Sequence, residues 1–256
     1  MKAIAVDLDG TFLNDQHTFD ELRFARLYKT LLRLNIKFIV ASSNHSVVLK
    51  NYFETYDSII YISQNGALLE MDERVINSVS IKRDDFNLAF SALIKNNYNF
   101  VATSVDKAYV PLNADENFIE IAQTYYPEFI KVSHFKEIED DILNITVSSR
   151  RSKLESVRRI IPNSLTCVYS GGHCIDITGA VDKASMLKHL IFEQQISPDE
   201  LYVFGDGEND ISMMQLTKNS YAMNNADVNV KHHANFIAPS NNQSGVLEVI
   251  ERTLNQ

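Results

Sequence analysis

Only two cysteines, Cys167 and Cys174, occur in 256 residues. That scarcity excludes a disulfide-stapled secreted scaffold and leads us to expect reduced thiols in a cytoplasmic protein. Basic charge is also short: 24 Lys and Arg stand against 33 Asp and Glu, a formal net charge of -9. An acidic chain gains nothing from counterion release on a phosphate backbone, so neither a nucleic-acid partner nor an anionic membrane surface is expected. No run approaches the roughly 20 apolar residues that cross a bilayer. Met1-Lys2 leads straight into strand-like sequence, without the apolar segment and small-residue cleavage site of a signal peptide. Repeats and low-complexity tracts are absent too. What remains is an ordinary globular composition, 45% hydrophobic and 22% charged, long enough for one or two domains.

Apolar runs alternate with helical patterns at both ends of the chain. Strands are expected over Ile4–Leu8, Ile36–Ala41 and Ile59–Ile62. Between the first two, Thr18 stands three residues before Glu21, the spacing of a capping box. The helix it opens should reach Leu34 with Leu22, Ala25, the Lys29 stem and Leu32 on one side. Strands apolar on both faces and separated by helices predict a parallel sheet covered on both sides, an α/β doubly wound fold. After a hairpin about Asp72-Glu73 the rhythm becomes α+β and stays so until Gly179. The expected organisation is a Rossmann-like core from 1–80 and 180–256, with an inserted domain at 81–179.

In open parallel sheets functional groups collect where strands end. Asp7 and Asp9 end the first strand, Ser42 ends the second, and Asp206 and Asp210 follow the late strand Leu201–Phe204 in the loop GDGEND. Carboxylates gathered at one edge repel unless a cation sits among them, and oxygen donors without His or Cys favour Mg2+. Residues i and i+2 of an extended chain share a side, so one of Asp7 and Asp9 could attack while the other moves protons. Ser42 could bond an oxyanion, and Lys183 at a helix start brings positive charge. Each signal has a bland reading as turn acid, helix cap or solvated lysine; their ordered combination at sheet edges argues for a site.

With DLDGTFL, IVASSN, DKASML and GDGENDISMM all in order, the chain resembles the haloacid dehalogenase-like hydrolases, and among them the Cof-type subgroup that includes bacterial sugar phosphatases. QNGA at 64–67, YAMNNA at 221–226 and NNQSGV at 241–246 are similar to that subgroup as well. Ser43 and Ala184 depart from it, standing where glycine is common. The resemblance implies that Asp7 is a nucleophile forming an aspartyl-phosphate and that Asp9 is general acid and then base. It implies that Ser42 and Lys183 hold the phosphoryl oxygens, with Asn209 binding phosphate or orienting the site. Mg2+ would sit on the Asp7 carboxylate, the Asp9 carbonyl and Asp206, with Asp210 nearby through water. The insertion corresponds to the family's cap, which closes over the site.

Asn44, Asn65 and Tyr109 are the candidate substrate contacts; for Tyr109 a packed strand aromatic is the favoured competing explanation. His173 and Cys174 adjoin, but a structural histidine explains the pair better than a metal site does. The expected activity is Mg2+-dependent hydrolysis of a small phosphate monoester, a sugar phosphate by resemblance, in a monomer or weak homodimer. A phosphomutase and a non-catalytic phosphometabolite sensor remain as alternatives; a receiver domain fits less well, given the insertion.

Overall fold

The computed structural model describes residues 1–255. The chain opens with β1 (Ala3–Val6), α1 (Glu21–Arg33), β2 (Lys37–Ala41), α2 (Ser46–Tyr52), β3 (Ile60–Ser63), β4 (Leu68–Met71) and β5 (Arg74–Ser78). The middle holds α3 (Arg83–Lys95), β6 (Phe100–Thr103), β7 (Ala108–Pro111), α4 (Glu116–Tyr125), β8 (Ile130–Val132), β9 (Asn144–Ser148), α5 (Leu154–Arg158), β10 (Thr166–Gly171) and β11 (Cys174–Thr178). The last part is α6 (Lys183–Glu193), β12 (Leu201–Gly205), α7 (Ile211–Met214), β13 (Asn219–Met223), α8 (Val228–His233), β14 (Phe236–Ala238) and α9 (Gly245–Leu254).

Eight strands form one sheet in the order β14-β13-β12-β1-β2-β3-β4-β5. It is parallel from β14 to β3, and the β4–β5 hairpin adds an antiparallel edge. The fold is therefore α/β, and the pleat explains its two layers. Ile4 and Val6 of β1 point into a core with Phe24, Phe38 and Val40, whereas Ala3 and Ala5 face Met186, Leu187 and Leu190 of α6.

Aromatic packing corrects the expected face of α1. Phe24, Leu27, Tyr28 and Leu31 are buried, while Leu22 is 79% and Leu32 is 47% exposed. Phe24 lies 5.0 Å from Phe12 and 5.1 Å from Phe38 between ring centroids, and burying one such ring stabilises by about 1.5–3 kcal/mol. The ring therefore outweighs the aliphatic stripe read from sequence. The helix cap also differs. Asp20 accepts a hydrogen bond from the Arg23 N–H at 2.9 Å, while Thr18 is bound to Asn14.

The second sheet has six strands in the order β10-β11-β9-β6-β7-β8, drawn from residues between Phe100 and Thr178. Alternation splits its faces. Phe100, Ala102, Ile145, Val147, Ile175 and Ile177 pack beneath α3 and α5. Thr103, Asn144, Thr146 and Asp176 take the opposite face, and through Thr103 and Asp176 that face meets the turn after β3. This sheet is thereby suspended over the carboxyl ends of the parallel strands. No helix of the described residues is long and apolar enough to cross a membrane.

Candidate active site

β12, β1, β2 and β3 lie side by side, so their ends deliver Asp206, Asp7, Ser42 and Gln64 to one edge. Lys183 reaches this edge from the first position of α6, whose start is fixed by the Asp182 carboxylate accepting from the Ser185 N–H at 2.8 Å. The lysine is 1% exposed, and its Nζ donates to Asp7 Oδ1 at 2.6 Å and to Asp210 Oδ1 at 2.8 Å. The other oxygen of Asp210 accepts from the backbone N–H groups of Asp206, at 3.1 Å, and Gly207, at 3.0 Å. Asp210 thus braces the loop after β12 from inside. Asp206 accepts from the Thr11 hydroxyl at 2.7 Å. Gly10, at φ +77°, lets the loop after β1 close on that carboxylate: a Cβ there would stand 2.4 Å from Asp206 Oδ2.

Oxygens of Asp7, Asp206 and Asp210 fall within 4.8 Å of one another. Burial, then the Asp210 charge, raises the Asp7 carboxyl well above its usual range, with Lys183 pulling the other way. Burial and then Asp210 push Asp206 up to about 7. Burial alone would depress Lys183, but Asp210 and Asp7 outweigh it and hold the ammonium more firmly than usual. One lysine does not balance these acids. The donor set is all oxygen and negatively charged, so a hard divalent cation fits it. Among the described residues, hydrogen bonds occupy both oxygens of Asp210 but only one each of Asp7 and Asp206. Asp7 and Asp206 are therefore the carboxylates with capacity for an ion, and Asp210 stands behind them.

Asp9 is placed apart from this cluster. β1 ends at Val6, the chain turns, and the Asp9 side chain remains 48% exposed, against 10% for Asp7. The Asn44 amide donates to Asp9 Oδ2 at 2.7 Å, and His17 Nδ1 lies 3.4 Å from Asp9 Oδ1. The two acids thus differ in setting: one is buried and clamped by lysine, the other is near solvent and held by an amide. That division suits a nucleophile and a proton shuttle. Ser42 is 1% exposed, and its Oγ accepts from the Asn44 N–H at 3.1 Å, which sets the hydroxyl among the same loops.

The three candidate substrate contacts are each engaged within the protein. The Asn44 amide donates to Asp9. Asn65 is 4% exposed and has both ends taken: its Nδ2 donates to Asp176 Oδ2 at 2.7 Å, and its Oδ1 accepts from Asn209 Nδ2 at 3.3 Å. Tyr109 is on the far face of the second sheet, with its ring in the core there and its hydroxyl bonded to Asp140. Strand alternation sends it away from the site, because it pairs with Ala102 rather than Thr103.

Sequence reading missed Thr11, His17, Gln64 and Asp176. Thr11 was visible in DGT, and Gln64 in QNGA. Asp176 had its own signal, a lone acid between Ile175 and Ile177 in an apolar strand. A cavity of about 530 Å3 is walled by Lys183, Asn65 and Asn209 on one side and Thr166, Val168 and Thr178 of the second sheet on the other; Asp7, Asp9, Asp206 and Asp210 do not line it.

The family model described as haloacid dehalogenase-like hydrolase matches residues 4–250. The 5-amino-6-(5-phospho-D-ribitylamino)uracil phosphatase YbjI of Escherichia coli K12 is 32% identical over 261 residues, covering 99% of this chain and 96% of that protein. A Bacillus subtilis protein with the same activity in its name, YwtE, is 24% identical over 99% of this chain and 98% of its own length. The crystal structure of SMU.1108c from Streptococcus mutans UA159 superposes with a TM-score of 0.93 at 30% identity, covering 100% of both chains. With the family model, a near-full-length relative and a superposed structure in agreement, the chain belongs to the haloacid dehalogenase-like hydrolases.

Proposed function

We propose that the protein is a Mg2+-dependent phosphatase that hydrolyses small phosphate monoesters through an aspartyl-phosphate on Asp7. The observation that carries this reading is the pairing of the buried Asp7, held by Lys183 at 2.6 Å, with the more exposed Asp9, held by Asn44 at 2.7 Å.

In the first step an oxygen of Asp7 attacks phosphorus, the bond to the ester oxygen breaks, and protonated Asp9 gives its proton to that leaving oxygen. In the second, Asp9 takes a proton from water as the water oxygen attacks phosphorus. The acyl-phosphate bond breaks, and Asp7 and inorganic phosphate are released. Lys183, Ser42 and Asn209 face the phosphoryl oxygens and hold them in line. Asp7 and Asp206, with the Asp9 carbonyl, would hold Mg2+, which would supply positive charge against the transferring group. Residues 81–179 act as the cap that shields the reaction from bulk water.

Sugar or sugar-alcohol phosphates are the substrate class we favour, because YbjI and YwtE, which align over nearly the whole chain, are named as phosphatases of a phospho-ribitylamino compound. Phosphate release from a panel of sugar phosphates, nucleotides and an aryl phosphate, with Mg2+ or EDTA, tests this. Turnover should require the metal and fall at least about a thousandfold in Asp7→Asn. Metal-independent turnover, or an active Asp7→Asn, overturns the mechanism. A phosphosugar isomer in place of free phosphate identifies a mutase.

A further inference from the structure

The turn after β3, Gln64-Asn65-Gly66, touches the Ser42 loop, the start of the Lys183 helix, the Asn209 side chain and the second sheet, although it carries no titratable group. Gln64 and Asn65 both adopt positive φ, 51° and 54°, and asparagine is among the residues that tolerate this region best. The Asn65 N–H donates to the Ser42 carbonyl and the Gln64 N–H to the Asn44 carbonyl, each at 3.0 Å. Gly66, at φ +94°, lies against the start of α6: a Cβ there would stand 2.2 Å from the Asp182 carbonyl oxygen. Gln64 accepts from the Thr103 hydroxyl at 2.6 Å across the gap to the second sheet. The turn is thus wedged between the Ser42 loop, the Lys183 helix and the sheet above.

From this sheet Asp176, 2% exposed, faces down on Asn65. Its remaining oxygen accepts from the Thr146 hydroxyl at 2.7 Å and from the Asn144 amide at 3.4 Å. A carboxylate only accepts, so it compels Asn65 to present Nδ2 upward and Oδ1 toward Asn209. Asn209 must then offer its Nδ2 to Asn65, which fixes which way its own amide turns in the loop that carries Asp206 and Asp210.

We propose that Asp176 is a positioning residue that acts through Asn65 to set the Asn209 amide, so that the seating of the second sheet and the geometry of the catalytic loop are one equilibrium. The proposal rests on the phosphatase reading only for its kinetic consequence. Asp176→Asn keeps the shape but offers either an acceptor or a donor, and so frees both amides to flip.

The test combines kinetics with the side-chain amide resonances of Asn65 and Asn209 in 15N–1H spectra, assigned by their absence from Asn65→Ser and Asn209→Ala. Asp176→Asn should move or broaden the Asn209 pair, whether or not the protein is active on any substrate tried. It should also lower kcat by about tenfold with KM changed less than about twofold, since the loss falls on the transition state. Adding Asp176→Asn to Asn209→Ala should cost nothing further in kcat. Thr146→Val, which removes a hydrogen bond from the same carboxylate without touching Asn65, should leave both the Asn209 signal and kcat near those of the parent. An unmoved Asn209 resonance, fully additive losses, or a Thr146→Val defect equal to that of Asp176→Asn overturns the proposal. A parent protein without phosphatase activity whose Asn209 signal still responds rejects the phosphatase reading and keeps the coupling.

Discussion

Lys183 Nζ lies 2.6 Å from Asp7 Oδ1, with both groups shut away from solvent at the junction of α6 and β1. The same ammonium is 2.8 Å from Asp210, so one cation serves the proposed nucleophile and the acid that braces the loop.

Removing that cation strands two buried carboxylates. Lys183→Met should destabilise the protein by about 3–5 kcal/mol at pH 8, the usual cost of breaking a buried pair by losing one partner. The deficit should shrink at pH 5, where the Asp7 carboxyl, raised by burial, binds a proton more readily. Turnover should fall at least about a hundredfold. Denaturant unfolding at the two pH values, beside phosphate release at pH 8, checks all three.

The acidic cluster also predicts how stability responds to pH and metal. Asp206 has an ordinary value near 3.8 and is pushed up to about 7 in the fold, chiefly by burial. Between those values the folded-state carboxyl holds more proton than the unfolded one, so the contribution of Asp206 to the stability of the metal-free protein falls as pH rises from about 4 to about 7. A cation competes with that proton. Mg2+ should therefore raise the melting temperature markedly at pH 8 and little at pH 5, as scanning calorimetry with EDTA controls would reveal. An equal Mg2+ effect at both pH values contradicts binding at these carboxylates.

Asn44 holds Asp9 at 2.7 Å, and this has a kinetic signature. Asn44→Ala should lower kcat by about tenfold for a sugar phosphate, whose alkoxide leaves only with a proton supplied. For an aryl phosphate, whose phenolate leaves unaided, the loss should be less than about threefold. Paired steady-state kinetics on the two substrates decide it; equal losses would place Asn44 on the phosphoryl group instead.

Much of the site was legible because its residues sit where strand periodicity ends. An apolar run that stops on Asp7, another that stops on Ser42 and a third followed by Asp206 need only the rule that functional groups gather at the carboxyl ends of parallel strands. The resemblance in DLDGTFL and GDGENDISMM then supplied roles. The side chains that join those loops were harder to read. Asn65 has no chemistry of its own to advertise, and the Asp176 that orients it is 111 residues away. Tyr109 pointed elsewhere because a one-residue change of place in a strand reverses its face, and sequence alone leaves that register open.

The sequence by itself therefore determined the layered α/β core, the insertion and the acids at the strand ends, since local periodicity and residue type are read along the chain. Tertiary structure alone decided which face of α1 is buried, through the aromatic cluster about Phe24. It also decided that Asp210 braces the loop after β12, and that Asn44 and Asn65 bond to other side chains of the site and the second sheet. Those outcomes depend on contacts between residues far apart in the chain, and such contacts have no period from which to read them.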